Sequence, residues 1–211
     1  MKYLYNPPSI VKFIFNEFCW ETVNGKILLT FDDGPNGQST EQILKTLDNC
    51  NVKALFFCVG NNIKKYPGLT NSIIKHGHII GNHTFNHKLI TRFTGNDYIN
   101  EIDDFNNLLN DSFGVEVNFF RPPHGRFNFR SKKMLRNSKM KTIMWNLLTY
   151  DYQNDFKKVK FAVDKFLKPN SIIVLHDSLK SKNIITDSIK YIFDEAAKHG
   201  YQFGGADECL N

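Results

Sequence analysis

The chain has 211 residues, of which 41% are hydrophobic and 23% are charged, values that exclude a disordered, low-complexity or collagen-like protein. The longest apolar run, about Ala54 to Val59, is far shorter than the ~20 residues of a membrane-spanning helix, so no transmembrane segment is expected. Lys and Arg outnumber Asp and Glu by 27 to 21, which makes the net charge +6.

Apolar runs alternate with amphipathic segments along the chain. Strands are predicted at 26–31, 54–59, 79–80, 118–120, 142–145 and 172–175, with 201–203 as a seventh candidate. Helices are predicted at about 40–49, 66–76, 97–112, 130–138, 155–168 and 184–198. Strands that are apolar throughout and alternate with helices indicate a parallel sheet covered on both faces, either a barrel or an open doubly wound sheet. Residues 1–25 are expected to be an N-terminal extension packed on a domain formed by 26–211.

The composition carries little information about partners or location. The basic residues stand mainly in short pairs, which we interpret as solvated helix faces; an anionic polymer as partner is the less favoured alternative, and no nucleic-acid partner is expected. The cysteines form no C-x-x-C pair and no disulfide framework, which fits a reducing compartment. Because Lys12 and Glu17 interrupt the apolar residues near the N-terminus, no classical signal peptide is expected, which favours a cytoplasmic location.

The residues suited to chemistry stand at the ends of predicted strands. In chain order they are Asp32 and Asp33, His83 and His87, Arg121, Asp151, and His176 with Asp177. Because the C-terminal ends of parallel strands share one face of a sheet, these side chains are expected to converge on one rim.

Two histidines four residues apart, His83 and His87, have a spacing that suits a divalent metal ion, although a capping or surface pair is the alternative. Thr84 stands where a zinc protease of the H-E-x-x-H type has its Glu base, so a base must come from elsewhere. The adjacent Asp32 and Asp33 could supply one metal ligand and one base, or could simply form a turn.

Three further residues have a catalytic and a structural interpretation. His176 could be a general acid, because its ordinary pKa lies near neutrality, or a buried core histidine. Asp151 could orient His176 or cap the next segment. Arg121 could grip a carboxylate in bidentate fashion or make a surface pair.

Taken together, these residues resemble the five motifs of the polysaccharide deacetylases, also called carbohydrate esterase family four or the NodB-type homology domain. The matching segments are Thr30-Phe31-Asp32-Asp33-Gly34-Pro35, His83-Thr84-Phe85-Asn86-His87, Arg121-Pro122-Pro123-His124-Gly125, Asp151-Tyr152 and Val174-Leu175-His176. The resemblance covers about residues 26–203, in the manner of a minimal bacterial catalytic domain.

The resemblance implies a distorted (β/α) barrel of about seven parallel strands that holds one divalent ion, commonly Zn²⁺ and in some members Co²⁺ or another transition metal. It implies that Asp33, His83 and His87 are the metal ligands. Asp32 would then be the catalytic base, and Arg121 would pair with it.

The remaining implied roles concern the acid and the substrate pocket. His176 would be the acid that protonates the departing amine, tuned by Asp151, and the backbone N–H at His124 would bind the oxyanion. Three residues are expected in the substrate pocket: Pro123, Tyr152 and Val174. The chain departs from the usual family pattern at His124 (usually Tyr), Tyr152 (usually Trp) and Val174 (usually Leu), none of which removes a metal ligand, the base or the acid.

The resemblance therefore implies an enzyme that hydrolyses N-acetyl groups on an acetylated amino-sugar polymer or oligomer, chitin-like or peptidoglycan-like, and releases acetate. An O-acetyl esterase and a non-catalytic sugar-binding module on the same fold are the alternatives. The intact motif set favours the deacetylase. Many relatives act in the cell envelope or outside the cell, in contrast to the apparent lack of a signal peptide. The sequence names neither the glycan nor the oligomeric state.

Overall fold

The computed structural model describes residues 4–94, 97, 99–136 and 138–211. Its centre is a seven-stranded sheet whose neighbouring strands are all parallel, in the order β5-β4-β3-β2-β1-β7-β6. The strands are β1 Leu28–Asp32, β2 Leu55–Cys58, β3 Ile79–Asn82, β4 Phe119–Phe120, β5 Lys141–Thr142, β6 Leu147–Leu148 and β7 Ile172–His176. The central strands are buried on both faces, which explains why they read as unbroken apolar runs.

The two edges of this sheet are close neighbours in the sequence. Only residues 143–146 separate β5 from β6, although five strands lie between them in the sheet order. A link of that length spans less than about 20 Å, at roughly 3.3–3.6 Å per residue. The sheet must therefore curl until its edges approach each other, and the predicted distorted barrel is confirmed.

Helices surround the sheet. They are α1 Ser9–Ile14, α2 Thr40–Asn49, α3 Gly60–Lys65, α4 Pro67–Lys75, α5 Asp104–Phe113, α6 Phe129–Arg136, α7 Phe156–Phe166, α8 Ile185–Lys198 and α9 Ala206–Leu210. A π-helix, Ile99–Asp103, leads directly into α5, and Gly114 ends α5 in the left-handed conformation that a residue without a Cβ adopts most readily. In the described ranges, no helix combines the length and the apolar character needed to cross a membrane.

The alternation of side chains along β1 divides the core into two parts. Leu29 and Phe31 face the surrounding helices, whereas Leu28 belongs to a smaller apolar cluster inside the barrel. Thr30 and Asp32 share the inner face with Leu28, because side chains two residues apart point the same way. Going up the inner face of β1, the side chains thus change from apolar to polar.

The neighbouring strand β7 repeats this pattern in register. Ile172 pairs with Leu28 at the bottom of the barrel, and His176 pairs with Asp32 at the top. At the bottom, side chains of α9 join the inner apolar cluster. Polar side chains lie at the top of the barrel, the C-terminal end of the strands. The register brings Asp32 and His176 to the same level there, on adjacent strands.

Three predicted elements differ from the structure. The predicted strand at 142–145 shares only Thr142 with β5, and Ile143 forms an isolated bridge with Cys19. The seventh strand is β6, and the predicted strand at 201–203 is wrong: Phe203 forms only an isolated bridge with Ile27. A two-residue strand such as β6 is too short to show a period in the sequence. The predicted helix at 97–112 includes Tyr98, which lies outside the described residues, and its next five residues form the π-helix rather than an α-helix.

The packing of Phe56 gives a test of the core. Its ring is fully buried and stacks on Phe31 with 4.9 Å between ring centroids. We expect Phe56→Ala to lower the free energy of unfolding by about 3–5 kcal/mol, since it leaves a cavity between sheet and helices. Phe13→Ala is the control, because that ring is 76% exposed and should change stability by less than about 0.5 kcal/mol. Denaturant unfolding measures both, and equal losses in the two variants would contradict this description of the core.

Candidate active site

A cavity of about 400 Å³ opens at the C-terminal end of the strands. This volume lies within the usual range of small-molecule sites, about 300–1,000 Å³. Eight of its lining residues are predicted site residues: Asp32, Asp33, His83, His87, His124, Tyr152, Val174 and His176. The structure therefore brings together side chains that lie up to 144 residues apart in the sequence (176 minus 32).

Asp33, His83 and His87 form a cluster on one wall of the cavity. The Asp33 Oδ1 atom lies 3.2 Å from His87 Nε2 and 3.7 Å from His83 Nε2. One ligand atom from each residue falls within 4.8 Å of the others, so the cluster could hold a metal ion. Two imidazole nitrogens and one carboxylate oxygen are suitable donors for zinc or another divalent transition metal, with positions left open for water and substrate.

The hydrogen bonding of His83 prepares its ring for such a role. Its Nδ1 lies 2.8 Å from the backbone carbonyl oxygen of Arg121, which can only accept, so Nδ1 carries the proton and Nε2 turns a lone pair towards Asp33. Burial lowers the pKa of His83 to about 4, which keeps the ring neutral at physiological pH. Burial alone would raise the pKa of Asp33, but the hydrogen bond from His87 and the nearby histidine charges lower it below its usual value.

Asp32 lies beside the cluster and pairs with Arg121. Its Oδ1 accepts a hydrogen bond of 2.8 Å from Arg121 Nη1, while its Oδ2 lies 4.0 Å from His83 Nε2. One carboxylate oxygen of Asp32 is therefore occupied by a fixed cation, and the other faces the cluster.

Arg121 is fully buried, and its guanidinium donates three further hydrogen bonds. Nη1 donates to Thr30 Oγ1 at 2.6 Å, Nε to the Ile143 carbonyl at 3.0 Å and Nη2 to the Met144 carbonyl at 2.9 Å. The contact with Asp32 uses a single nitrogen, so the bidentate grip considered from the sequence is not formed. The Nε and Nη2 atoms of Arg121 instead donate to the two backbone carbonyls that follow β5.

His176 and Asp151 form a pair at the same rim, with His176 at the level of Asp32 on the adjacent strand β7. Asp151 is fully buried; its Oδ1 lies 2.7 Å from His176 Nδ1, and its Oδ2 accepts a 2.7 Å hydrogen bond from the His176 backbone N–H. Burial by itself would lower the pKa of His176, but the charge and hydrogen bond of Asp151 raise it to about 9. At neutral pH His176 is therefore an imidazolium that can donate a proton into the cavity.

The expected pocket residues surround these groups. The ring of Tyr152 packs edge-on against His176 with 4.8 Å between centroids, and Val174 lines the cavity. Pro123 is buried within the 3₁₀ turn Pro123–Gly125, and its neighbours His124 and Gly125 form the cavity wall there. Gly125 has a φ of +62°, and a Cβ at this position would lie 2.1 Å from the Trp145 ring, so the turn packs against Trp145 only with glycine.

Residues with no predicted role also take part. Trp145, Leu148 and Lys180 line the cavity. Asp177 is buried and accepts hydrogen bonds of 2.6 Å from Ser39 and Thr40, which ties the end of β7 to the start of α2. The sequence analysis already includes Asp177 among the residues expected at the rim, without a role. Trp145 stands at the end of the predicted strand 142–145, and this position is the sequence signal that could have identified it.

Comparison with known proteins identifies the family. The family model described as polysaccharide deacetylase matches residues 21–143. The chain belongs to the polysaccharide deacetylase family. The match confirms the predicted family and, at the level of the family, the predicted enzyme class, a hydrolase that removes N-acetyl groups from polysaccharides.

Individual relatives show how far the similarity extends. A peptidoglycan-N-acetylglucosamine deacetylase of Bacillus cereus is 31% identical over 196 residues, which is 90% of this chain and 92% of that protein. A second B. cereus protein of the same name is 35% identical over 128 residues, 61% of this chain; the match spans about half of that longer protein, 46%. The crystal structure of the Bc1960 peptidoglycan N-acetylglucosamine deacetylase superposes with a TM-score of 0.85 at 27% identity and covers 92% of both chains.

Because Arg121 is a buried charge with several partners, its removal is expected to lower the free energy of unfolding strongly. Arg121→Ala leaves the Asp32 carboxylate and two carbonyl groups without their donor, so we expect a loss of about 3–5 kcal/mol in the free energy of unfolding. Arg136→Ala is the control, because the pair of Arg136 with Glu17 lies on the surface, where such pairs contribute about 0–1 kcal/mol. Similar unfolding midpoints for the two variants in urea would contradict the structural importance of Arg121.

Proposed function

We propose that this chain is a metal-dependent N-deacetylase that hydrolyses the acetamide groups of peptidoglycan amino sugars and releases acetate. The observation that carries the proposal is the position of three ligand atoms within 4.8 Å of one another, next to the Arg-paired Asp32. The strand beside Asp32 carries His176, which pairs with Asp151. The named activity of the relatives on peptidoglycan N-acetylglucosamine supports this substrate class.

The proposed metal ligands are Asp33, His83 and His87. The orientation of His83 favours this role, because its unprotonated Nε2 is aimed at Asp33 before any ion binds. When bound, a divalent ion, Zn²⁺ or Co²⁺, would supply Lewis acidity, polarising the acetyl carbonyl and lowering the pKa of water at the site. Three ligands leave coordination positions open, as in catalytic rather than structural zinc sites.

Asp32 is the proposed base. It takes a proton from the attacking water as the water oxygen bonds to the acetyl carbon. Arg121 holds Asp32 Oδ1, so Oδ2 is the atom that receives the proton.

His176 is the proposed acid. An amine leaves the tetrahedral intermediate only after its nitrogen is protonated, and the imidazolium of His176 supplies that proton as the carbon–nitrogen bond breaks. Asp151 holds the ring by Nδ1, which leaves Nε2 as the donor. The presence of a protonated His176 favours N-deacetylation over ester hydrolysis. An alkoxide can leave the tetrahedral intermediate with less assistance from an acid than an amine requires.

The remaining pocket residues have proposed roles in binding. The backbone N–H at His124 is the proposed donor to the developing oxyanion, because its turn borders the cavity beside His87, with 4.5 Å between the two ring centroids. Tyr152 and Trp145 are proposed to offer aromatic surfaces to a sugar ring, and Val174, which lines the cavity, is the proposed contact for the acetyl group.

Separate variants test the metal site and the base. Wild-type protein loaded with Zn²⁺ is expected to release acetate from peptidoglycan fragments. Asp32→Asn should retain bound zinc but lose about 10²–10⁴-fold in turnover, since it removes the base and keeps the shape of the side chain. His87→Ala should lose the zinc itself. Acetate release and metal content by mass spectrometry are the two measurements.

The same assay can reject the proposal. Retained turnover in Asp32→Asn would overturn the proposed mechanism, and zinc retained at full occupancy in His87→Ala would overturn the ligand set. Chitin oligomers, N-acetylmuramic acid units and acetylated xylan are the comparison substrates. Faster release from the xylan ester than from every amide would replace the N-deacetylase with an esterase.

The His176–Asp151 pair predicts a pH dependence. The acid must be protonated, so turnover should fall as the pH rises through the pKa of His176, which Asp151 raises. Asp151→Asn removes the charge, and the remaining effect of burial lowers that pKa. We expect the alkaline limb of the kcat profile to move to lower pH by about one to two pH units. An unchanged alkaline limb in Asp151→Asn would show that another group titrates there.

A further inference from the structure

The loop that carries the proposed ligand His87 has an uncommon backbone conformation. It follows β3 directly, and within it both Thr84 and His87 have positive φ angles, 65° and 57°. A β-branched residue such as Thr84 is rarely found in this region, because its branched side chain crowds the backbone. Surrounding groups must therefore hold the loop for His87 to keep its position.

One residue provides much of this support. Glu101 is fully buried, and its Oε2 accepts a 2.7 Å hydrogen bond from the backbone N–H of Asn86, the residue immediately before His87. Its Oε1 accepts from Asn86 Nδ2 at 2.8 Å and lies 2.9 Å from the ammonium of Lys88, the residue immediately after His87. The carboxylate therefore holds the loop on both sides of the ligand.

The backbone around Glu101 is shaped for the same contact. The Glu101 carbonyl accepts a 2.8 Å hydrogen bond from the N–H of Phe85, and the Ile102 carbonyl accepts one of 3.1 Å from Asn82 Nδ2. Both residues lie in the π-helix Ile99–Asp103. π-helical turns are rare but occur frequently at functional sites. Here two successive carbonyls contact the end of β3 and the loop that carries His87.

We propose that Glu101 is a positioning residue that sets the geometry and the affinity of the metal site through the backbone of Asn86. The inference rests on the proposed metal-binding function. Glu101 acts on His87 through its two neighbours, by holding the main chain of Asn86 on one side and the side chain of Lys88 on the other. Partners of this kind behind a metal ligand typically change metal affinity by about 10–100-fold.

The test measures metal binding without substrate. Zn²⁺ affinity is determined by competition with a chromophoric chelator, and the visible absorption of the Co²⁺-loaded protein reports ligand geometry. We expect Glu101→Ala to bind Zn²⁺ about 10–100-fold more weakly and to change the Co²⁺ spectrum. Glu101→Gln keeps an oxygen that can accept from the Asn86 N–H, so it should lie closer to wild type.

A matched control separates positioning from a general loss of stability. Thr22 is a buried polar residue whose hydroxyl donates to the Lys26 carbonyl at 2.6 Å, near the N-terminal end of β1 and away from the cavity. Thr22→Ala should lower the unfolding midpoint and leave Zn²⁺ affinity within about twofold of wild type. If Glu101→Ala does not fold, Asn86→Ala carries the test: it keeps the backbone contact with Glu101, removes the side-chain one and should weaken Zn²⁺ binding severalfold. Asn61→Ala is its control, because it removes the other hydrogen bond of the Asn86 side chain and leaves Glu101 in place.

The outcomes distinguish this inference from the proposed function. Zn²⁺ affinity and a Co²⁺ spectrum unchanged in Glu101→Ala, or in Asn86→Ala where the former does not fold, would overturn the positioning role even if wild type deacetylates peptidoglycan. Weakened binding in these variants, with no acetate released by wild type from any substrate, would support the positioning role and reject the proposed function. A wild-type protein that binds no Zn²⁺ would overturn both.

Discussion

The guanidinium of Arg121 is buried between the top of β1 and the segment after β5, and the proposed catalytic groups are arranged around it. It donates to Asp32 and Thr30 on one side and to two backbone carbonyls on the other, and it lies 4.2 Å from the centre of the Phe57 ring. A buried cation without hydrogen-bond acceptors is strongly unfavourable, and so is a buried carboxylate or carbonyl without a donor. Loss of either side of this contact would therefore destabilise the fold. The contact holds together two parts of the barrel that are distant in the sequence.

The backbone of Arg121 extends this effect to the cluster of Asp33, His83 and His87. Its carbonyl oxygen accepts a hydrogen bond from His83 Nδ1, and this contact turns the other ring nitrogen of His83 towards Asp33. One residue at the end of β4 therefore positions the proposed base through its side chain and orients a proposed metal ligand through its main chain. This double use explains why the site depends on the short strand β4 as much as on the long strands in the centre of the sheet.

Backbone strain is concentrated around the cavity. Of the nine non-glycine residues with positive φ in the described part of the chain, five belong to or adjoin the proposed site: Asp33, Thr84, His87, His124 and Tyr150. Such conformations are unfavourable for residues with a Cβ and persist only where neighbouring contacts determine them. The buried carboxylates of Asp151, Asp177 and Glu101 are among these contacts, because each accepts hydrogen bonds from the segments that carry the site.

The sequence by itself determined the fold class, the family and the identity of the residues that meet at the rim. Apolar runs alternating with helical segments require a parallel sheet, and parallel strands bring the residues that follow β1, β3, β4 and β7 to one face. These conclusions depend on patterns within a few residues, which a single chain displays directly. Local patterns did not reveal β6, α3 or the π-helix, since elements this short or irregular have no hydrophobic period to detect.

The tertiary structure alone decided how the site is held. Which Asp32 oxygen meets Arg121, which nitrogen of His83 is free, and which carboxylate supports the His87 loop all depend on contacts between segments far apart in the chain. Glu101 is the clearest case: its neighbours in the sequence gave no reason to connect it with His87, 14 residues away (101 minus 87). Its proposed role follows from burial, because a carboxylate removed from water must find donors, and in the folded chain these donors belong to the loop that carries His87.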